Sequence, residues 1–158
     1  SLTSKYNMGY KTSASQYFNN RDYRIFYNET EPIFSYQPTQ SFRININYKY
    51  TEKRNKGGPN GEKAFLNKAG TEIKYNVLTK GSLLFKVEYI QIKFNSNENS
   101  PISYEMLEGL KAGKNAVWST SYQRNISGNL QLTLSYDGRK SENVKTIHVG
   151  SVQLRAYF

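Results

Sequence analysis

The sequence contains no cysteine and a single histidine, and its only aspartates are Asp22 and Asp137. Without cysteine there is no disulfide framework and no thiolate metal site, in either an oxidising or a reducing compartment. With His148 as the sole imidazole, the residue types that build catalytic triads and metal centres are scarce. We therefore expect no enzymatic activity, no cofactor and no metal. No stretch approaches the roughly eighteen apolar residues that a transmembrane helix needs. No basic start followed by an apolar run opens the chain, so no signal peptide is read there. The opening "SLTSKYNMGYKTSASQY" reads like the middle of a longer protein, and the 158 residues suit one domain, 1–158, forming its C-terminal part. Acidic residues are few, 12 against 22 Lys and Arg, for a formal net charge of +10. Such a balance favours polyanions: nucleic acid, phosphate-bearing lipids or acidic glycans.

Hydrophobic residues make up only 37% of the chain, below the usual globular range, yet aromatic residues reach 15%, with fourteen tyrosines. Disordered chains are depleted in aromatics, so disorder is a poor account. Tyr, Phe, Val, Ile and Thr favour strands, and a sheet-rich protein fits. In "SFRININYKYTEKRN", Phe42, Ile44, Ile46, Tyr48 and Tyr50 alternate with Arg43, Asn45, Asn47 and Lys49. This is the period of a strand with one apolar and one polar face. "KGGPNGEK" is a loop. "GTEIKYNVLT" alternates again, and "LTKGS" turns into "SLLFKVEYIQIKFN". There Leu83, Phe85, Val87 and Tyr89 share a face, and Ile90, Ile92 and Phe94 continue in the opposite phase, which predicts a β-bulge. Residues 96 to 115 form a long loop in which "YEMLEGL" can make one helical turn. "AVWSTSYQR", "NLQLTLSYD" and the closing "HVGSVQLRAYF" are the last strands. Earlier, Tyr6–Tyr17 and Tyr23–Tyr27 predict two short strands, with Pro32 and Pro38 expected to break the pairing after them.

Few residues carry chemistry. His148 reads as a residue at the start of the closing strand. Glu105 and Glu108 have the look of a paired-carboxylate site, but three apart in a helical turn they read more simply as a solvated loop face. "GGPNGEK" lacks the spacing of a phosphate loop. Asn28-Glu29-Thr30 and Asn125-Ile126-Ser127 match the glycosylation sequon, a pattern that matters only in a eukaryotic secretory setting. Lys and Arg are spread over nearly every strand and loop rather than gathered in a stripe, and the aromatic motif of RNA-binding sheets is missing, so nucleic acid is disfavoured. The basic loops 52–63 and 138–146 nominate Lys53, Arg54, Lys56, Arg139 and Lys140 as contacts for an anionic partner.

The strands decide between lipid and core. Two of them run to about fourteen residues, where soluble strands average about five or six and a membrane barrel strand needs about nine to eleven. Tyr48, Tyr50, Tyr89, Phe94, Trp118, Tyr136 and Phe158 lie near strand ends, as in the aromatic girdles of such barrels. Short turns alternate with longer loops at 57–61, 96–115 and 137–146. On the polar faces Arg43, Lys49, Lys74, Lys86 and Arg155 mix with Glu72, Glu88 and Asp137, where a barrel lumen would let them pair.

"GSVQLRAYF" resembles the C-terminal signal of bacterial outer-membrane barrels, with Gly150, Val152, Leu154, Ala156 and Phe158 on the pattern. The resemblance implies recognition by the barrel-assembly machinery. Residues 69 to 158, through "LEGLKAGKN", "LQLTLSYDGRKS" and "TIHVG", are similar to the C-terminal ends of large surface and outer-membrane proteins of Bacteroidetes-type bacteria. That similarity implies an envelope location in a Gram-negative cell and supplies no catalytic residues. The positive charge departs from typical outer-membrane barrels, which are often acidic. The expectation is an all-β antiparallel up-and-down meander. It is read as an outer-membrane β-barrel of about eight strands, or the last part of a larger barrel, acting as a structural anchor or subunit of an envelope assembly. Its partners would be outer-membrane lipid or lipopolysaccharide and other envelope proteins. The alternative is a soluble, surface-displayed β-sandwich that binds glycans, for which "LEGLKAG" before "KNAVWSTSY" resembles a corner of fibronectin-like sandwiches.

Overall fold

The computed structural model describes residues 1–13, 23–57, 61–77 and 80–157. Eight strands follow one another: β1 (Leu2–Ser13), β2 (Tyr23–Thr39), β3 (Phe42–Asn55), β4 (Lys63–Val77), β5 (Gly81–Phe94), β6 (Gly113–Ser127), β7 (Leu130–Ser141) and β8 (Ile147–Ala156). One short helix, α1 (Pro101–Met106), lies between β5 and β6. Each strand pairs antiparallel with the next, so all eight form one meander sheet in sequence order. The strands of a sandwich would divide between two sheets; these share one. Among the described residues no ladder joins β1 to β8, and the two are the free edges.

The connections sort by end. β2–β3, β4–β5 and β6–β7 are joined by tight links at one end. The facing ends of β1 and β2, β3 and β4, β5 and β6, and β7 and β8 lie at the other. β7 continues through Asp137 to Ser141, so the last long loop is shorter than the sequence predicts.

Three expectations need correction. β2 is one long strand through Pro32 and Pro38. Proline's fixed φ suits an extended chain and only its missing N–H is a cost. The structure accommodates that cost locally: the β2–β3 register has no partner recorded at Glu31 and Pro32, and it shifts between Tyr36 and Thr39, around Pro38. Second, β5 contains no bulge. The β4–β5 register runs unbroken from Ala64↔Phe94 to Val77↔Gly81. The apolar pattern changes phase because the apolar face itself changes: Tyr89 points to one side and Ile90 and Ile92 to the other. Third, Phe94 is no girdle residue, since it packs against the buried core.

Register fixes the two faces across the whole sheet, because directly opposed residues point the same way. The outer face carries Tyr6, Met8, Tyr10, Phe34, Ile46, Tyr48, Tyr50, Tyr75, Val87, Tyr89, Leu134, Tyr136, Val152 and Leu154, all exposed. The inner face carries the charged and amide residues Asn7, Glu29, Asn47, Lys49, Lys68, Glu72, Lys86 and Glu88. The sheet curls toward this inner face, since the loop rooted in β5 and β6 reaches Lys11 in β1 and Lys53 in β3.

The buried apolar core is small. It comprises Ile25, Ala64, Leu66, Ile90, Ile92, Met106 and Leu107, with Tyr23, Phe94, Ile102, Leu110 and Val117 against it. All of it sits on the inner face under α1, at the long-loop end. Ser100 caps α1, its hydroxyl accepting from the Ser103 backbone N–H at 3.1 Å, and Pro101 opens the first turn. Small residues let large ones lie flat on both faces. A Cβ at Gly138 would come within 2.2 Å of the Trp118 indole on the outer face. A Cβ at Gly9 would come within 2.7 Å of the Tyr27 hydroxyl on the inner face.

Candidate functional site

The inner face is a network of charge pairs laid across successive strands. On β2 and β3, Glu29 pairs with Lys49 and also accepts from Asn7 Nδ2 of β1 at 3.1 Å. Asn47 Nδ2 donates to Glu31 at 2.9 Å. Further along, Glu72 of β4 pairs with Lys86 Nζ of β5 at 2.8 Å and accepts from Asn45 Nδ2 of β3 at 3.2 Å. Gly70 leaves the space into which the Asn47 amide projects, since a Cβ there would overlap it. The strand-face charges that the sequence assigns to a polar interior lie on this side, and Glu72 and Lys86 among them are paired.

The segment after α1 closes one end of this face. Glu108 Oε1 accepts from Lys53 Nζ at 2.8 Å, and its other oxygen pairs with Lys68. Glu105 pairs with Lys11. A single loop thus holds β1, β3 and β4 by three ammonium groups. Burial acts to raise the Glu108 carboxyl, but the ammonium groups of Lys53 and Lys68 outweigh it and bring the group down to about 2. Glu108 adopts φ 57°, and Gly109 after it φ 73°. The left-handed region costs a side-chain-bearing residue about 1–2 kcal/mol. It is the conformation that ends α1 and turns the carboxylate inward, with the Gly109 N–H donating to the Tyr104 carbonyl at 3.0 Å. Glu105 and Glu108 are therefore not a solvated loop face. They are the anionic half of a latch. Their spacing in the sequence showed that they share a side, but their lysine partners lie 40 to 94 residues away.

Between latch and sheet lies a cavity of about 380 Å³ lined by Lys11, Ile25, Tyr27, Glu29, Lys49, Lys53, Glu105 and Glu108. Its charges are mutually paired, and no group of three metal-ligating side chains occurs among the described residues.

The five candidate anion contacts separate by strand parity. Lys53 and Arg139 point inward, and Lys53 is held by Glu108. Arg54 and Lys140 point outward: Arg54 pairs with Glu52 at 2.5 Å, and Lys140 donates to the Val144 carbonyl at 2.7 Å. Lys56, beyond the end of β3, lies over the Tyr10 and Phe26 rings at 5.8 and 5.2 Å. Of the C-terminal pattern, Val152, Leu154 and Ala156 face outward on β8, opposite Leu134, Leu132 and Leu130. Gly150 opposes Tyr136, and Phe158 lies outside the described residues. His148 joins an outer-face cluster: its Nδ1 is 2.8 Å from the Tyr136 hydroxyl, and its ring stacks on that of Tyr136, 6.0 Å away.

Searched against known proteins, the chain matches no family model, no curated protein and no solved structure.

Proposed function

We infer that this chain is an outer-membrane β-barrel, or the last part of a larger one, and that its work is structural: anchoring, or serving as a subunit of an envelope assembly. The observation that carries the reading is the inversion of the sheet. Apolar and aromatic side chains stand exposed on the outer face of β1 to β5, β7 and β8, Ile46 at 50%, Tyr89 at 49% and Val152 at 73%. Charged side chains pair on the inner face. A soluble domain of this size removes about two-thirds of its chain surface from water and rarely leaves a contiguous apolar patch above a few hundred Å². Here, among the described residues, only seven apolar residues are fully buried. Lipid on the outer face would satisfy the pattern.

Lengths agree. From Phe42 to Tyr50 the outward residues of β3 are uncharged, a run of about 27 Å at about 3.3 Å per residue. Tilted by about 40°, it covers about 20 Å of height, and ring lengths at each end bring it toward the roughly 25 Å apolar band of such barrels. Unpaired strand edges are costly in hydrocarbon, so β1 and β8 must pair with each other or with further strands. Biogenesis then requires the barrel-assembly machinery, with Gly150, Val152, Leu154, Ala156 and Phe158 as its recognition strand.

The test is expression followed by detergent phase partition and heat-dependent gel mobility. Partition into detergent with a mobility shift is expected. A monodisperse protein in plain buffer overturns the reading and turns attention to glycan binding by a soluble module. Because the native chain has no cysteine, one engineered cysteine in β1 and one in β8 report closure by crosslinking.

A further inference from the structure

The outer face is not uncharged throughout. At the long-loop end, each of β2 to β7 presents one outward cation: Arg24, Arg54, Lys63, Lys93, Lys114 and Lys140. All six are exposed. They form a line. Arg54 directly opposes Lys63. Phe65, the next outward residue after Lys63, opposes Lys93. Gln91 then opposes Lys114, and Ala116 opposes Lys140. The line steps toward the sheet interior by no residues or two at each strand. Strands tilted by about 35–45° and about 4.8 Å apart shift a level line by about one to one and a half residues per strand. The cations therefore follow a belt of nearly constant height, just above the aromatic band.

Two features make the belt more than scattered surface charge. Among the described residues, Glu52 is the sole carboxylate that a strand turns outward, and it pairs with Arg54. Among the described residues the other five cations have no ion-pair partner. The belt is also one-sided. At the tight-turn end the only outward strand cation among the described residues is Arg124, opposite Leu132.

Resting on the barrel reading, we propose that this belt is a binding surface for the phosphate-bearing headgroups of anionic lipids in the leaflet on the α1 side. Headgroup phosphates lie at the height where an apolar band ends. Each Lys or Arg near an anionic leaflet gains from its negative potential. The belt also accounts for part of the basic excess of the chain.

Trp118, the single tryptophan, faces outward on β6 four residues from Lys114 and reports on nearby lipid. The chain is reconstituted into vesicles of phosphatidylcholine alone, and of phosphatidylcholine with phosphatidylglycerol. Energy transfer from Trp118 to a trace of headgroup-labelled phosphatidylglycerol is compared with transfer to equally labelled phosphatidylcholine. Roughly threefold or greater enrichment of the anionic lipid is expected, falling with added salt. The K63Q/K93Q/K114Q variant should lose it, and a K49Q variant, altered on the inner face, should keep it. Heat-dependent mobility verifies insertion of each variant. No preference in the native chain, or an unchanged preference in the triple variant, overturns the belt and leaves the barrel standing. Failure to insert into either vesicle overturns both.

Discussion

Replacing Ile46 by arginine separates lipid from water on the outer face. Ile46 is the middle of the five outward residues of β3, between Phe42 and Tyr50, and half of its surface is exposed in the isolated chain. In water an arginine there loses little packing, and the expected change is within about 0.5 kcal/mol. In a bilayer the same position sits near the midplane, where arginine on a barrel exterior costs about 2–4 kcal/mol. At about 1.4 kcal/mol per factor of ten, this is roughly a 30- to 700-fold shift in the folding equilibrium. The assay is reversible urea unfolding from lipid vesicles, followed by circular dichroism and Trp118 emission. Arginine at Ser135, which faces inward opposite Ser121 and Ser151, is the control and should cost under about 1 kcal/mol. If Ile46→Arg and Ser135→Arg are equally mild in vesicles, the outer face does not meet lipid, and the inversion argument fails.

The remaining expectations are local. Gly138→Val places a Cβ within 2.2 Å of the Trp118 ring and should destabilise by about 1–3 kcal/mol through overpacking; added Trp118→Ala should recover part of the loss in the same unfolding assay. For Glu108 the folded value of about 2 lies below the ordinary 4.5. Its contribution is therefore complete above about pH 4.5 and is lost as pH falls toward 2. Proteolysis within residues 101–112 should rise over that window, and Glu108→Asn, which keeps a residue tolerant of positive φ, should flatten the rise. At neutral pH, Glu108→Asn should cost on the order of 1 kcal/mol, since the solvent side of the pair screens it.

Much of the sheet was legible because a period of two needs only local sequence. "FRININYKY" and "LQLTLSY" show their alternation in a few residues, and β3 and β7 form there. β2 was read too short because Pro32 and Pro38 are strong local signals. Whether a missing N–H is tolerated depends on the neighbouring ladder, which sequence does not display. The phase change at Tyr89–Ile90 was visible, but its cause was not. Alternation shows that a strand has two faces without showing that one face is polar along most of its length and apolar where a distant loop covers it. Ile90 and Ile92 are inward and buried because Met106 and Leu107 lie over them. The ionic site was hidden for the same reason. Lys53 and Arg54 are neighbours in one basic loop by sequence, yet parity sends Lys53 to Glu108 and Arg54 to the outer rim. Counting outward positions back from each long loop would have found Lys63, Lys93 and Lys114 from sequence.

The same parity organises the charge. Carboxylates on adjacent strands or on the α1 loop pair with the inward cations Lys11, Lys49, Lys53, Lys68 and Lys86, while Arg43, Lys74, Arg139 and Arg155 also face inward without an ion pair among the described residues. In a polar interior of low effective dielectric, an unpaired charge costs far more than a paired one, which favours these pairs. Outward positions along the strand centres carry no charge in β3 between Phe42 and Tyr50 or in β5 between Leu83 and Tyr89. At the rim neither constraint acts, and among the described residues six of the seven cations that the strands turn outward lie at one end of the outer face. On the barrel reading, the net charge of +10 is thus partly directional, and the belt would turn the long-loop end toward a surface that carries phosphate.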